Sequence, residues 1–254
     1  MLNYLKKIFW FPISTKKDIE KYQTIIRDLE WDSFKKYIYK GDSFLDLGCG
    51  AGYYLMKAED EFECNVYGVD PSPGEHGVGR FSNIANNQII QGYAEKIAFD
   101  NEKFDVVLCS HVLEHVNDEN TSLREINRVL KKDGILIIGM PTATMSIIAI
   151  ISHYVFTTHI NVLFFLQNLF NKNFIDRFIH IFIPASHSKP NHKYVYYDLK
   201  KYRVKSWRNI VNSQFEIIEE LYPCLYPYPD YLQFFKPHKF KKYSSSIFFI
   251  CRKK

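Results

Sequence analysis

The sequence predicts an α/β fold, a mostly parallel sheet with helices on both faces and an apolar helical insertion after the fifth strand. Three observations predict it. Short apolar runs rich in β-branched residues alternate with stretches of helical periodicity up to Pro141. The runs are continuously apolar, as strands of a parallel sheet covered on both sides are. A glycine-rich turn, Gly48-Cys49-Gly50-Ala51-Gly52, follows the first strand and opens a helix, at the carboxyl edge where parallel sheets bind nucleotides.

Tyr22, Ile25, Ile26, Leu29, Phe34 and Ile38 give Asp18 to Tyr39 a near-helical spacing, which Gly41-Asp42 breaks. Ser43 to Leu47 reads as a buried strand and Ala51 to Ala58 as the helix after it. Asn65 to Val69, Asn87 to Gln91 and Phe104 to Cys109 read as strands two to four. Glu119 to Leu130 is a helix with Leu123, Ile126, Val129 and Leu130 on one face. Lys131-Lys132-Asp133-Gly134 closes it, with cations at the negative helix end and glycine at the stop. Ile135 to Met140 is the fifth strand. Beyond the insertion, Tyr196 to Val211 reads as one helix, and Phe215 to Leu221 and Ser246 to Cys251 as strands.

The 254 residues suit one large α/β domain with an insertion. Four segments are expected: an N-terminal helical segment (1–40), a nucleoside-binding core (41–141), an apolar lid or membrane-contact insertion (142–192) and the C-terminal part of the core (193–254). No Asp, Glu, Lys or Arg occurs from Gly134 to Asn171. Met145 to Phe170 is long enough to span a bilayer, but strands that complete the sheet follow it, and a true span would strand them across the membrane. One or two apolar helices lying against the core or a membrane surface fit better. Net charge is +5, too mild for a dedicated nucleic-acid binder. The charge is uneven: seven Lys or Arg and no acid lie between Tyr231 and Lys254, and four Lys and no acid in the first seventeen residues. With Leu5, Ile8, Phe9, Trp10 and Phe11 near the start, peripheral membrane contact is an alternative to solvated ends. The N-terminus makes a poor signal peptide. Cys49, Cys64, Cys109, Cys224 and Cys251 are scattered and odd in number, which suits reduced thiols in a cytoplasmic protein. Histidines and cysteines lack zinc spacing, and no metal site is expected.

The glycine turn has two readings. A dinucleotide site has G-x-G-x-x-G, its backbone amides facing a pyrophosphate. Here the spacing is G-x-G-x-G, with Tyr53 where a third glycine would stand, and Asp46 lies two residues before the first glycine. A carboxylate beside a pyrophosphate is unfavourable. Beside the cationic amino-acid end of S-adenosylmethionine it is favourable. Asp70 ends the second strand, where an acid accepts hydrogen bonds from both ribose hydroxyls.

Leu45-Asp46-Leu47-Gly48-Cys49-Gly50-Ala51-Gly52, Asp70, Tyr93-Ala94-Glu95, Phe104-Asp105-Val106-Val107 with Ser110-His111-Val112-Leu113-Glu114-His115-Val116, and Arg128 to Leu136 together resemble the class I S-adenosylmethionine-dependent methyltransferases, especially the type 11 methyltransferase domain. The resemblance covers roughly Phe44 to Pro141 and weakens toward the end. It implies a Rossmann-like, seven-stranded, mostly parallel sheet whose last strand is antiparallel. It also implies that Asp46, Gly48, Cys49, Gly50, Gly52, Asp70, Pro71, Tyr93, Ala94, Glu95, Ser110 and His111 hold S-adenosylmethionine. Two departures stand out: Ala98 where the family often has Pro, and the stretch Pro71-Ser72-Pro73-Gly74-Glu75-His76-Gly77 after the ribose acid.

A sulfonium methyl is already electrophilic, so the enzyme must align donor and acceptor and, for some acceptors, remove a proton. His192, which related proteins often match before the late helix, and His111, after the fourth strand, are the candidate bases. Glu114 and His115 read as a structural pair, and His153, His159, His180 and His187 as lid or surface residues. Leu108-Cys109-Ser110-His111 is not the Asn-Pro-Pro-Tyr of amino-group DNA methylation. Pro223-Cys224 lies far from the fourth strand, and no acid cluster of a metal-dependent catechol site follows that strand. The uncharged insertion and the aromatics from Tyr222 to Phe235 favour O-methylation of a glycan or lipid-linked, apolar small acceptor. A quinone, isoprenoid phenol or other metabolite is the alternative, as are a non-catalytic cofactor-binding protein and a nicotinamide oxidoreductase.

Overall fold

The apolar run Ser43–Leu47 forms β1 at the centre of a sheet, in a computed structural model that describes residues 16–78, 88–154, 162, 166, 174–184, 186, 194–226, 237–239 and 243–254. The expected apolar segment near the start, His159, His187, His192 and most of the basic and aromatic stretch from 227 to 242 lie outside these residues. The helix α1 (Lys16–Phe34) and a single 3-10 turn (Lys35–Tyr37) lead into β1. There follow α2 (Tyr53–Phe62), β2 (Asn65–Asp70), β3 (Ile89–Gln91), β4 (Phe104–Ser110), α3 (Glu119–Val129) and β5 (Leu130–Pro141). The rest is α4 (Ala143–Ser152), α5 (Phe174–Phe182), α6 (Val195–Lys201), α7 (Val204–Val211), β6 (Phe215–Leu221) and β7 (Ser246–Lys253).

Among the described residues seven strands form one sheet in the order β3-β2-β1-β4-β5-β7-β6. The first five are mutually parallel, and β7 lies antiparallel between β5 and β6. Alternate residues of each central strand feed two cores. Leu45, Leu47, Val107 and Cys109 pack with Leu123 and Ile126 of α3 and Trp207 of α7. Phe44, Val106 and Leu108 pack with Trp31 and Phe34 of α1 and Tyr54 and Leu55 of α2. Burial on both faces is why these strands carry no polar alternation.

Four boundaries differ from the sequence reading. The first helix stops at Phe34, and Ile38 is already extended. The second starts at Tyr53, because Gly48, Gly50 and Gly52 all take positive φ (80°, 49° and 84°) and hold the chain out of the helix. Lys131 to Gly134 is no helix stop. Leu130 has already turned extended and pairs with Phe104, and the ladder resumes at Ile135 opposite Val106, so the four residues bulge out of a longer β5. Lys131 there pairs with Asp105 at 2.8 Å. The expected helix from Tyr196 to Val211 is two, broken where Arg203 turns extended.

The insertion is rooted at the carboxyl end of β5. Thr142 donates its N–H to Ser245 O (3.0 Å) and Ala143 to Tyr202 O (2.9 Å), and Trp207 Nε1 donates to Pro141 O (2.9 Å). His153 is buried and its Nε2 lies 3.1 Å from Ile181 O, joining α4 to α5. Among the described residues no helix is long and apolar enough to cross a membrane.

Candidate functional site

The carboxyl edge of β1 and β2 builds the site from backbone first. Gly48 N–H donates to Val69 O (2.7 Å) and Gly52 N–H to Cys49 O (2.8 Å), closing a tight turn between β1 and α2. A Cβ on Gly50 would stand 2.6 Å from His76 O, and one on Gly48 only 2.1 Å from Val112 Cγ2. The glycines therefore let two other segments approach the turn. One is the Pro71 to Val78 loop, which folds back so that Gly74 N–H donates to Gly50 O (2.9 Å). The other is the segment after β4.

Asp70 is fixed by two backbone donors: Gly50 N–H to Oδ2 (2.9 Å) and Ser72 N–H to Oδ1 (2.8 Å). A carboxylate accepts about four hydrogen bonds, so each oxygen keeps capacity for one ligand hydroxyl. Asp46 is buried on β1. Burial and the neighbouring Asp70 push its pKa up to about 7, against the pull of Arg27. A cationic ligand placed there reverses that shift.

Asp46, Gly48, Cys49, Gly50, Asp70, Pro71, Ser110 and His111 line one cleft of about 500 Å³. Tyr93, Ala94 and Glu95 line a second recess of about 170 Å³, which shares the walls Gly48, Pro71, Val112 and His115 with the first. Glu95 also accepts the Asn117 N–H (2.8 Å), which fixes the far wall of that recess. Gly52 is in the lining of neither and is the left-handed residue that starts α2. His192 lies outside the described residues.

His111 is enclosed more tightly than the sequence suggested. Its Nε2 is 3.2 Å from Glu30 Oε1 and its Nδ1 3.6 Å from Glu114 Oε1, both fully buried carboxylates. Burial pulls the imidazole pKa down, but Glu114 and Glu30 outweigh it, so His111 keeps its proton to higher pH than an ordinary histidine. Both carboxylates favour the protonated imidazole. Glu114, expected as a partner of His115, lies 3.9 Å from His115 Nε2 and closer to His111.

Sequence reasoning missed Arg27, His76, Val112 and the wall role of His115. Arg27 on α1 gives Nη1 to Glu30 Oε2 at 2.5 Å and lines the cleft. Acids at Asp46 and Asp70 with a guanidinium in the same cleft suit a zwitterionic amino acid attached to a ribose. The only sequence signal was the i, i+3 spacing of Arg27 and Glu30.

Asp46 gives a pH prediction. Its folded-state pKa lies above the ordinary 3.8. Its contribution to stability is thus complete below about pH 4 and lost as pH rises through about 7. Melting temperature measured against Asp46→Asn should show wild type losing ground to the variant between those limits. A difference that is flat in pH contradicts the buried, protonated Asp46.

The profile of a family described as methyltransferase domain matches residues 45–138, the stretch that builds this cleft. The Bacillus subtilis protein YrhH, whose own methyltransferase label is provisional, is 30% identical over 145 residues, 56% of this chain and 78% of that one. The ubiquinone biosynthesis O-methyltransferase of Azorhizobium caulinodans is 33% identical over 129 residues, 50% of this chain and 51% of its own length. The chain thus spans about half the length of that relative. A solved structure of an S-adenosylmethionine-dependent methyltransferase from Thermotoga maritima aligns over 100% of both chains with a TM-score of 0.53 and 18% identity, which speaks to the fold alone.

Proposed function

Because this chain belongs to the S-adenosylmethionine-dependent methyltransferases of the type 11 methyltransferase-domain family, we propose that it methylates an oxygen of an apolar or lipid-linked small acceptor, foremost a glycan or lipid-linked sugar. Asp70 takes the ribose hydroxyls of the donor, and the Tyr93-Ala94-Glu95 recess takes adenine. Arg27 binds the methionine carboxylate, and Asp46 answers the positive charge of the same moiety. S-adenosylmethionine bound there would supply an electrophilic methyl, the acceptor oxygen bonding to it in line as the sulfur–methyl bond breaks and S-adenosylhomocysteine departs, and positioning would be the main requirement. His192 is the base for the acceptor proton, and His111 a fixed charge beside the cleft.

The observation that carries the acceptor class is the insertion. The helix α4 has no charged residue and is rooted one strand from His111, where His111 N–H meets Gly139 O of β5 (2.8 Å). Ile147 and Ile151 of α4 and Ile175, Phe178 and Phe182 of α5 are about half exposed. Helices of this kind suit an apolar acceptor delivered from a lipid surface. A quinone or isoprenoid phenol is the second reading, favoured by the name of the Azorhizobium relative.

Transfer of labelled methyl from S-adenosylmethionine into cell-extract lipid, glycan and small polar pools tests the proposal. Label in the lipid or glycan pool is expected. Label confined to the polar small-molecule pool contradicts it. Flotation with anionic liposomes at low salt should carry the protein upward, and a protein left wholly at the bottom of the gradient removes the membrane reading.

A further inference from the structure

We propose that Glu30 is a positioning residue of the methyl-transfer site, holding Arg27 and His111 at the cofactor cleft through one buried carboxylate, so that α1 is a working part of the site. The proposal rests on the cofactor reading above.

Glu30 is fully buried on a helix whose other buried residues among those described, Tyr22, Ile26, Trp31 and Phe34, are apolar or aromatic. Four groups converge on it. Arg27 Nη1 (2.5 Å) and Tyr54 OH (2.8 Å) donate to Oε2. Ser246 Oγ donates to Oε1 (2.9 Å), and His111 Nε2 stands 3.2 Å from the same oxygen. They come from α1, α2, β7 and the turn after β4. Three of the four, Arg27, Tyr54 and His111, also line the cleft. A carboxylate needed only to join elements would have no reason to choose partners that face the ligand. An ion pair replaced by well-packed apolar residues would be at least as stable.

His111 adds an independent sign. It has φ of 57°, a left-handed backbone that non-glycine residues seldom adopt, and such strain persists where surroundings over-determine it. The groups facing it are Glu30 and Arg27 from α1 and Glu114 from its own turn, with His115 Nε2 3.9 Å from the same Glu114 Oε1. Cys224 and Tyr226, from the segment before β7, stand near Glu30. Burial raises the Glu30 pKa, but Arg27 and His111 more than offset it, and the carboxylate is held far below its usual range. Losing that charge frees Arg27 to turn away and makes the His111 proton easier to remove.

The test uses the full chain, S-adenosylhomocysteine titration calorimetry and the imidazole nitrogen resonances of His111. Glu30→Gln keeps the shape and removes the charge. Val211→Ala, in the core on the other face of the sheet, serves as a control for lost stability. Glu30→Gln should weaken binding about ten- to hundredfold, the effect of disturbing one or two charge-assisted hydrogen bonds, and should lower the pH at which His111 titrates. Val211→Ala should melt earlier and bind as wild type does. Unchanged affinity in Glu30→Gln overturns the proposal. So does a wild-type His111 that titrates as an ordinary exposed histidine, a readout that needs no variant to fold. Failure of wild type to bind S-adenosylhomocysteine would instead strike the cofactor reading itself.

Discussion

Asp70→Asn is expected to weaken S-adenosylhomocysteine binding about a hundredfold while leaving the fold intact. The Asp70 carboxylate accepts Gly50 N–H on one oxygen and Ser72 N–H on the other, at 2.9 and 2.8 Å. Each oxygen then has capacity for one ribose hydroxyl. An asparagine amide nitrogen cannot accept, so the variant strands one backbone donor and deprives one hydroxyl of its acceptor. It also turns the surviving bonds from charge-assisted to neutral. Two such changes at roughly 1.5 kcal/mol each give about 3 kcal/mol, two orders of magnitude in affinity. Titration calorimetry reads the loss directly. A change of less than about threefold would mean that the ribose does not sit on this carboxylate.

Gly48→Ala is expected to abolish binding and to lower the melting temperature by about 10 °C. Gly48 has φ of 80°, and a Cβ there would stand 2.1 Å from Val112 Cγ2. The left-handed backbone costs an alanine about 1–2 kcal/mol. Displacing Val112 adds about 1–3 kcal/mol of overpacking, and in a chain of this length each kcal/mol moves the midpoint by about 2–4 °C. Val112 is also a wall of both recesses, so its displacement reaches the ligand. Gly41→Ala is the matched comparison. Gly41 also has φ of 80°, but nothing lies within 4 Å of its virtual Cβ. It should lose a few degrees and bind normally. Equal damage in both variants would show that backbone strain, not the approach of Val112, governs Gly48.

Much of this was legible in the sequence because it is written locally. The β1 run, the glycines after it and Asp70 at the end of β2 fall within one strand–turn–helix–strand unit, and each carries its own signature. The recess at Tyr93, Ala94 and Glu95 followed from a motif. What escaped depends on distant segments. Arg27 and Glu30 look like ordinary charges on an amphipathic helix. Only the arrival of Tyr54, His111 and Ser246 from elsewhere makes a buried carboxylate there tolerable. Likewise nothing near His111 in sequence announces its contact with Glu30. At Lys131 to Gly134 lysines and a glycine suit a helix stop and a bulge alike, and pairing of Leu130 with Phe104 decides for the bulge. The loop after Asp70 looked unusual and is: it folds back on Gly50.

Parallel titrations of the purified chain with S-adenosylhomocysteine and with NADH test the central claim most directly. Saturable one-to-one binding of the first and no measurable heat from the second are expected, because Asp46 and Asp70 favour a cation attached to ribose and disfavour a pyrophosphate. Binding of NADH with indifference to S-adenosylhomocysteine would contradict the assignment of this cleft.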